Sequence, residues 1–262
     1  MNESENQCSV HGKFIVLEGI DGSGTTTQGL DLTNYLRGRG RRTIYTREPS
    51  TGPVGMIIRL ALTGRLKGYI PNGANQDTNY QDVEMSTELN PSTMALLFAA
   101  DRVDHIEAEI KPNLTKGRTV ISDRYLMSSI AYQGLTMDAT WLVKINEKVI
   151  RPDLTIYLDT PAERARMRIQ GTRWSEDICE GITEQKRVRE KYHEIIEDPP
   201  SILGPIVRVD ALKSREEVQY RIRRIVDTFL ESGQWEELQG ELGLFGRIEA
   251  GRVDVRDHHE GG

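Results

Sequence analysis

Phe14-Ile15-Val16-Leu17-Glu18-Gly19-Ile20-Asp21-Gly22-Ser23-Gly24-Thr25-Thr26-Thr27-Gln28 reads as a strand, a tight turn and the start of a helix. Four apolar residues with β propensity run into glycines at 19, 22 and 24, and a helix-compatible segment from Thr25 to Arg39 comes next. In such a turn bare backbone N–H groups curl around an anion, and the positive end of the helix points at the same spot. A phosphate would fit there. The spacing meets G-x-x-x-x-G-K-[ST] at Gly19, Gly24 and Thr26, whose hydroxyl is the one expected on Mg²⁺, but Thr25 stands where the lysine belongs. The plainer alternative is a glycine turn that only joins a buried strand to a helix.

The 262 residues suffice for one sizeable α/β domain, and no composition break divides them. A net charge of -6 and a pI near 5.5 argue against a surface that holds nucleic acid, which needs a basic stripe. Small anionic ligands need only a local basic pocket. The first residues, MNESENQCSVHGK, lack the apolar core of a signal peptide, and no window approaches the ~20 apolar residues of a membrane span. A soluble cytoplasmic protein is expected. Cys8 and Cys179 are too few and too far apart in sequence to suggest a disulfide or zinc site.

Outward from the glycine turn, strands are expected at 42–46, 119–122, 154–158 and 206–209, alternating with helices. That alternation predicts a mostly parallel sheet with helices on both faces. Asn90-Pro91 reads as an N-cap and a first helical residue, and the helix it opens places Phe98 and Arg102 on one face. Thr160-Pro161-Ala162-Glu163 and Ser214-Arg215-Glu216-Glu217 read as capping boxes. Helices are also expected over 127–134 and 141–150. Residues 65–88, rich in Asn, Gly, Asp and Gln, read as a long loop or insertion, and 166–183 as a helical lid or a plain helical hairpin. The single domain then runs from 13 to 231, between a flexible leader, 1–12, and an extension, 232–262, of which 250–262 are expected to be disordered. Charged clusters at 47–49, 123–124 and 166–173 fall at strand ends or in the lid, beside the phosphate turn. In a parallel sheet those ends form one crevice, suited to phosphoryl transfer.

The set EGIDGSGTTTQ, TREPS, LLFAADR, ISDRYLMSSIAYQG and RVDA resembles thymidylate kinase, the nucleoside-monophosphate kinase family that makes dTDP from dTMP and ATP. The likeness runs from about Lys13 to Leu230 and implies a three-layer P-loop kinase fold with a lid, ATP and Mg²⁺ as reactants, and a homodimer. It implies that Gly19, Asp21, Gly22, Ser23, Gly24, Thr25, Thr26 and Thr27 cradle the ATP phosphates, and that Thr26 and Asp123 organise Mg²⁺. Asp21 would hold the sugar 3′-hydroxyl, and Arg47 and Arg124 the dTMP phosphate. Phe98 would stack on thymine, Arg102 donate to its carbonyl, and Tyr132 pack where a 2′-hydroxyl would sit, with Ser128 and Ser129 in the same wall. Pro49 would come after a cis peptide bond that aims Arg47 inward. The missing lysine would be replaced by a lid arginine, Arg168 or Arg173, with Arg166 the weaker choice. Two other readings stay open: a nucleotide-binding protein of this fold without turnover, and a kinase for another nucleotide.

Overall fold

The computed structural model describes residues 12–66, 89–170 and 181–232, together with the backbone of 68–69, 85–86 and 252–255. Its centre is a parallel sheet of β1 (Phe14–Glu18), β2 (Thr43–Arg47), β5 (Thr119–Asp123), β6 (Leu154–Asp159), β7 (Ile206–Asp210) and β8 (Arg252–Val255). Their order across the sheet is β2-β5-β1-β6-β7-β8. Burial on both faces explains why β1 and β6 are mostly apolar, and β5 too is buried along its whole length. Successive residues of β1 feed opposite cores. Phe14 and Val16 join Ile106, Ile130, Val188 and Tyr192 on one face, whereas Ile15 and Leu17 join Leu32, Leu36, Ile222 and Phe229 on the other.

The first of these faces is covered by α5 (Leu126–Gln133), α8 (Ile182–Glu197) and the continuation of α3 (Pro91–His105), the second by α1 (Thr25–Gly38) and α9 (Arg215–Ser232). A single π-helical stretch, Ile106–Ile110, carries α3 on into the short α4 (Lys111–Thr115). This is the three-layer α/β arrangement that the strand-helix alternation predicts. The chain winds through β2 and β5 to one side of β1, then through β6, β7 and β8 to the other. Ligands of open α/β sheets bind where that direction reverses, beyond the carboxyl ends of the strands. Here that place is the turn after β1.

Both proline-led signals hold for α3, since Asn90 accepts from the Ser92 N–H at 2.9 Å and Pro91 is the first helical residue. The box before α9 also closes: the Ser214 hydroxyl accepts from the Glu217 N–H, and the Glu217 carboxylate accepts from the Ser214 N–H. The box expected at Thr160 does not form. Among the described residues the buried Thr160 hydroxyl has no partner, and Glu163, its intended counterpart, pairs instead with Lys186 across to α8. The helix expected over 141–150 is α6 (Ala139–Ile145), ending at Asn146, whose side-chain carbonyl is used elsewhere. Within the 65–88 segment, Gly68–Tyr69 (β3) and Met85–Ser86 (β4) pair antiparallel. Arg252–Val255, expected to be disordered, instead pairs parallel with β7, consistent with β-branched residues at alternate positions. Residues 1–11 of the leader, residues 171–180 of the lid with Arg173, and residues 233–251 lie outside the described residues. No helix of the described residues is long and apolar enough to cross a membrane.

Candidate active site

The glycine turn has the backbone that its sequence demands. Gly22 and Gly24 lie at φ 80° and 102°, in the left-handed region that side chains disfavour. At Gly22 a Cβ would also fall 2.4 Å from the Ala165 carbonyl of α7 (Ala162–Gln170). Gly24 caps α1, so Thr25 is the first helical residue, and its side chain is buried. Thr26 and Thr27 are exposed. The Thr26 hydroxyl donates to Asp123 Oδ2 at 2.5 Å, and the Tyr45 hydroxyl donates to the same oxygen at 3.0 Å. Asp123 Oδ1 is buried without a partner among the described residues.

Beside this turn lies a cavity of about 650 Å³. Its lining includes Asp21, Phe98, Arg102, Arg124, Ser128, Ser129 and Tyr132, seven of the eight residues expected to hold the acceptor. The eighth, Arg47, does not line it. Arg47 ends β2 opposite Asp123, exposed to solvent, while its neighbours Glu48 and Pro49, joined by a cis peptide bond, reach the cavity. The turn at Ser50 is held by Asp101, which accepts from the Ser50 N–H and hydroxyl, and by the Arg59 guanidinium on the Pro49 and Ser50 carbonyls.

Arg124 donates to Asp21 Oδ1 and lies 5.1 Å from the centre of the Tyr132 ring. The Tyr132 hydroxyl accepts from the Asp21 N–H at 3.0 Å, which closes a triangle between the glycine turn and α5. Arg102 is fully buried. It donates to Glu48, to Asn146 Oδ1 at 2.5 Å and to Ser129 Oγ at 2.8 Å. Its guanidinium is therefore mostly engaged by protein groups, which fixes its plane against the cavity.

The profile of the thymidylate kinase family matches residues 17–69 and 78–222 of this sequence. The chain belongs to the thymidylate kinase family. Probable thymidylate kinases from Thermococcus kodakarensis, Thermococcus gammatolerans and Pyrococcus horikoshii are 36%, 38% and 35% identical to it. The alignments cover 83%, 85% and 83% of this chain and 98%, 99% and 97% of the relatives. These are nucleoside-monophosphate kinases, phosphotransferases. The profile skips residues 70–77, inside the segment read as an insertion, and ends before the C-terminal extension.

From α7, Arg168 brings a cation against the turn. It donates to the Ser23 carbonyl at 3.1 Å and to the Ala211 carbonyl at 2.7 Å. Arg166 lies two residues earlier on the same helix, half-buried. Ser23 is buried, and its hydroxyl has no partner among the described residues.

Two buried carboxylates near the turn were given no role by the sequence reading. Glu18 is fully buried, and burial pushes its carboxyl up to about 7 against the opposing pull of Ser128, Arg124 and Tyr192. Asp159, at the end of β6, takes Arg189 and His193 from α8 and Arg208 from β7. Burial opposes its charge, yet those partners hold its carboxyl well below the usual range. Their only sequence signal is a carboxylate at the end of an apolar strand. Apart from Tyr157, two residues from Asp159, their side-chain partners lie 30 to 174 residues away.

Proposed function

We propose that this protein transfers the γ-phosphoryl group of ATP to the phosphate of dTMP, forming dTDP for dTTP synthesis, in the cytoplasm. The observation that supports it most is the cavity, where an aromatic face, fixed donors and the Asp21–Arg124 pair meet the phosphate-binding turn. Phe98 offers a π face to the base, and Arg102 and Ser129 offer donors to its rim. Tyr132 would favour deoxyribose by occupying the space of a 2′-hydroxyl, and Asp21 would accept from the 3′-hydroxyl. Arg124 would neutralise the acceptor phosphate. Arg47 would join it only by turning inward from its exposed position.

The attacking group is an oxygen of dTMP itself, and a phosphomonoester with a second pKa of ~6 is already mostly dianionic at neutral pH. No general base is required. What the chain must supply is alignment and positive charge. Asp123 and Thr26 would hold Mg²⁺. An unpartnered buried carboxylate oxygen beside a hydroxyl fits a hard ion that keeps most of its shell for water and phosphate. Once bound, the ion would neutralise charge on the phosphoryl oxygens. Among the described residues no group of three or more His, Cys, Asp or Glu converges as a metal cage. In place of the lysine lost at Thr25, Arg168 would bring its cation to the turn from α7, with Arg173 arriving from the lid.

One observation favours a second reading, nucleotide binding without turnover: the buried Thr25 contributes no charge. Coupled ADP release with ATP, Mg²⁺ and dTMP, dUMP, dCMP or TMP in turn separates the two. The expected outcome is turnover with dTMP, less with dUMP, and least with dCMP and TMP. The methyl of thymine alone can account for only about 10- to 200-fold between the first two. Binding of both nucleotides with no ADP release would favour the second reading. The homodimer is part of the same proposal. Met56, Ile57 and Leu60 of α2 (Pro53–Leu62) and Leu96 and Val103 of the adjacent α3 leave apolar surface exposed, which a second copy would cover. Sedimentation should give twice the chain mass of 29.7 kDa.

A further inference from the structure

The residue just ahead of the first glycine is a fully buried carboxylate with four donors aimed at it. Glu18 Oε1 accepts from the backbone N–H groups of Tyr125 and Ser128 at 2.9 and 3.2 Å. Glu18 Oε2 accepts from the Ser128 hydroxyl at 2.5 Å and the Tyr192 hydroxyl at 3.1 Å. Those two hydroxyls are themselves 2.8 Å apart, and Tyr192 also reaches the Gly19 carbonyl at 3.4 Å. One carboxylate thus joins β1, the turn after β5, the first turn of α5, and α8.

The turn after β5 needs such a partner. Arg124 has φ 70°, the one non-glycine residue with positive φ among those described, a conformation that a bulky side chain adopts only under constraint. Its own N–H donates to the Leu17 carbonyl at 2.8 Å, and its carbonyl accepts from the Ser122 hydroxyl at 2.8 Å. The next peptide N–H, that of Tyr125, goes to Glu18. Leu17 and Glu18 therefore bracket the turn, and the bracketed residue is the arginine that meets Asp21 in the cavity. On its far side Glu18 engages Tyr192, whose ring stacks on Tyr157 at 4.9 Å and meets Tyr132 edge-on at 6.4 Å. Tyr192 belongs to α8, the helix next in the chain after the proposed lid.

We propose that Glu18 is a positioning residue for the transfer: it locks the left-handed turn that aims Arg124 into the acceptor cavity and ties that turn to α8 through Tyr192. The role rests on the reading of the cavity as the dTMP site. It requires an acceptor for the two backbone N–H groups and a hydrogen-bond partner for the two hydroxyls, which can turn to donate or accept, but no proton transfer. Glutamine can reproduce most of it, with Oε1 on the two backbone donors and Nε2 donating to the two hydroxyls. Alanine cannot, and leaves two buried N–H groups unsatisfied.

The test is steady-state kinetics of the full-length chain, with calorimetric binding of dTMP, for Glu18→Ala, Glu18→Gln and Tyr192→Phe. Glu18→Ala should lower kcat/KM for dTMP by at least about tenfold, while KM for ATP stays within about twofold. Glu18→Gln should recover most of that loss. Should Glu18→Ala fail to fold, Tyr192→Phe still decides the tie to α8. It should lower kcat severalfold at nearly unchanged dTMP affinity, and an unchanged kcat would overturn that tie. Glu18→Ala that folds and keeps wild-type kcat/KM for dTMP would overturn the role of Glu18 alone. Wild-type protein that neither binds nor phosphorylates dTMP would overturn the reading of the cavity, and the role of Glu18 with it.

Discussion

The two sides of the crevice solve one electrostatic problem differently. On the proposed acceptor side the cation is built in: Arg124 sits in a bracketed turn, paired with Asp21 and laid against Tyr132. On the proposed donor side the motif's lysine is replaced by Thr25, the first residue of α1, and Arg168 reaches the turn from another helix, donating to the Ser23 and Ala211 carbonyls. A fixed ion pair is ready before any ligand arrives. If the proposed roles hold, the cation for the acceptor is in place before binding, whereas the one for the donor comes from a separate helix, α7.

The largest effect should come from breaking the acceptor side. Arg124→Ala removes one half of a partly buried charge pair, and kcat/KM for dTMP should fall about 10³-fold or more. A drop of less than tenfold would move the acceptor phosphate elsewhere, with Arg47 the next candidate. Next is the donor side. Arg168→Ala should lower kcat by roughly 10² to 10³, the usual loss for one transition-state donor, with smaller change in dTMP affinity. Adding Thr25→Lys to that variant should restore part of the rate; no recovery would show that the turn does not aim a side chain at position 25 toward the phosphates.

The comparison can also be sharpened by pH. An acid whose folded value, about 7, lies above its unfolded value of 4.5 binds its proton more tightly when folded. Glu18 therefore contributes stability that is complete below pH 4.5 and is lost as pH rises through 7. Glu18→Gln has no such dependence. Between about pH 5 and 8 the wild-type melting temperature should fall relative to Glu18→Gln, by the equivalent of roughly 2 to 3 kcal/mol at most. Parallel melting profiles would contradict the buried carboxylate. Phe98→Ala should weaken dTMP by about 1 to 3 kcal/mol while leaving ATP unaffected, as read by calorimetry. The smallest effect belongs to a surface control. Asp31→Ala breaks the exposed pair with Arg215, remote from the acceptor cavity, and should cost under about 1 kcal/mol in thermal unfolding.

What could be read from the residues divides in the same way, between local and distant causes. The glycine turn, β1, β5, β6, the Asn90-Pro91 start and the Ser214 box announce themselves within a few residues, and all are present. The cavity was legible because the family's motifs name its walls. Glu18 was not, since nothing near it in sequence reveals that Tyr125, Ser128 and Tyr192 converge on its carboxyl. Thr160 misled for the opposite reason: its local box is complete, but α8 offers Glu163 a lysine instead. Arg47 stands where its motif predicts, at the end of β2, yet backbone position does not determine where so long a side chain points.

The central claim is that a glycine turn without its lysine still supports transfer, because guanidinium groups from other elements supply the charge. Product analysis of the purified full-length chain with dTMP, ATP and Mg²⁺ tests it directly. Saturable formation of dTDP, in step with ADP, is the predicted result. Saturation with both nucleotides and no dTDP at any concentration of magnesium would contradict it.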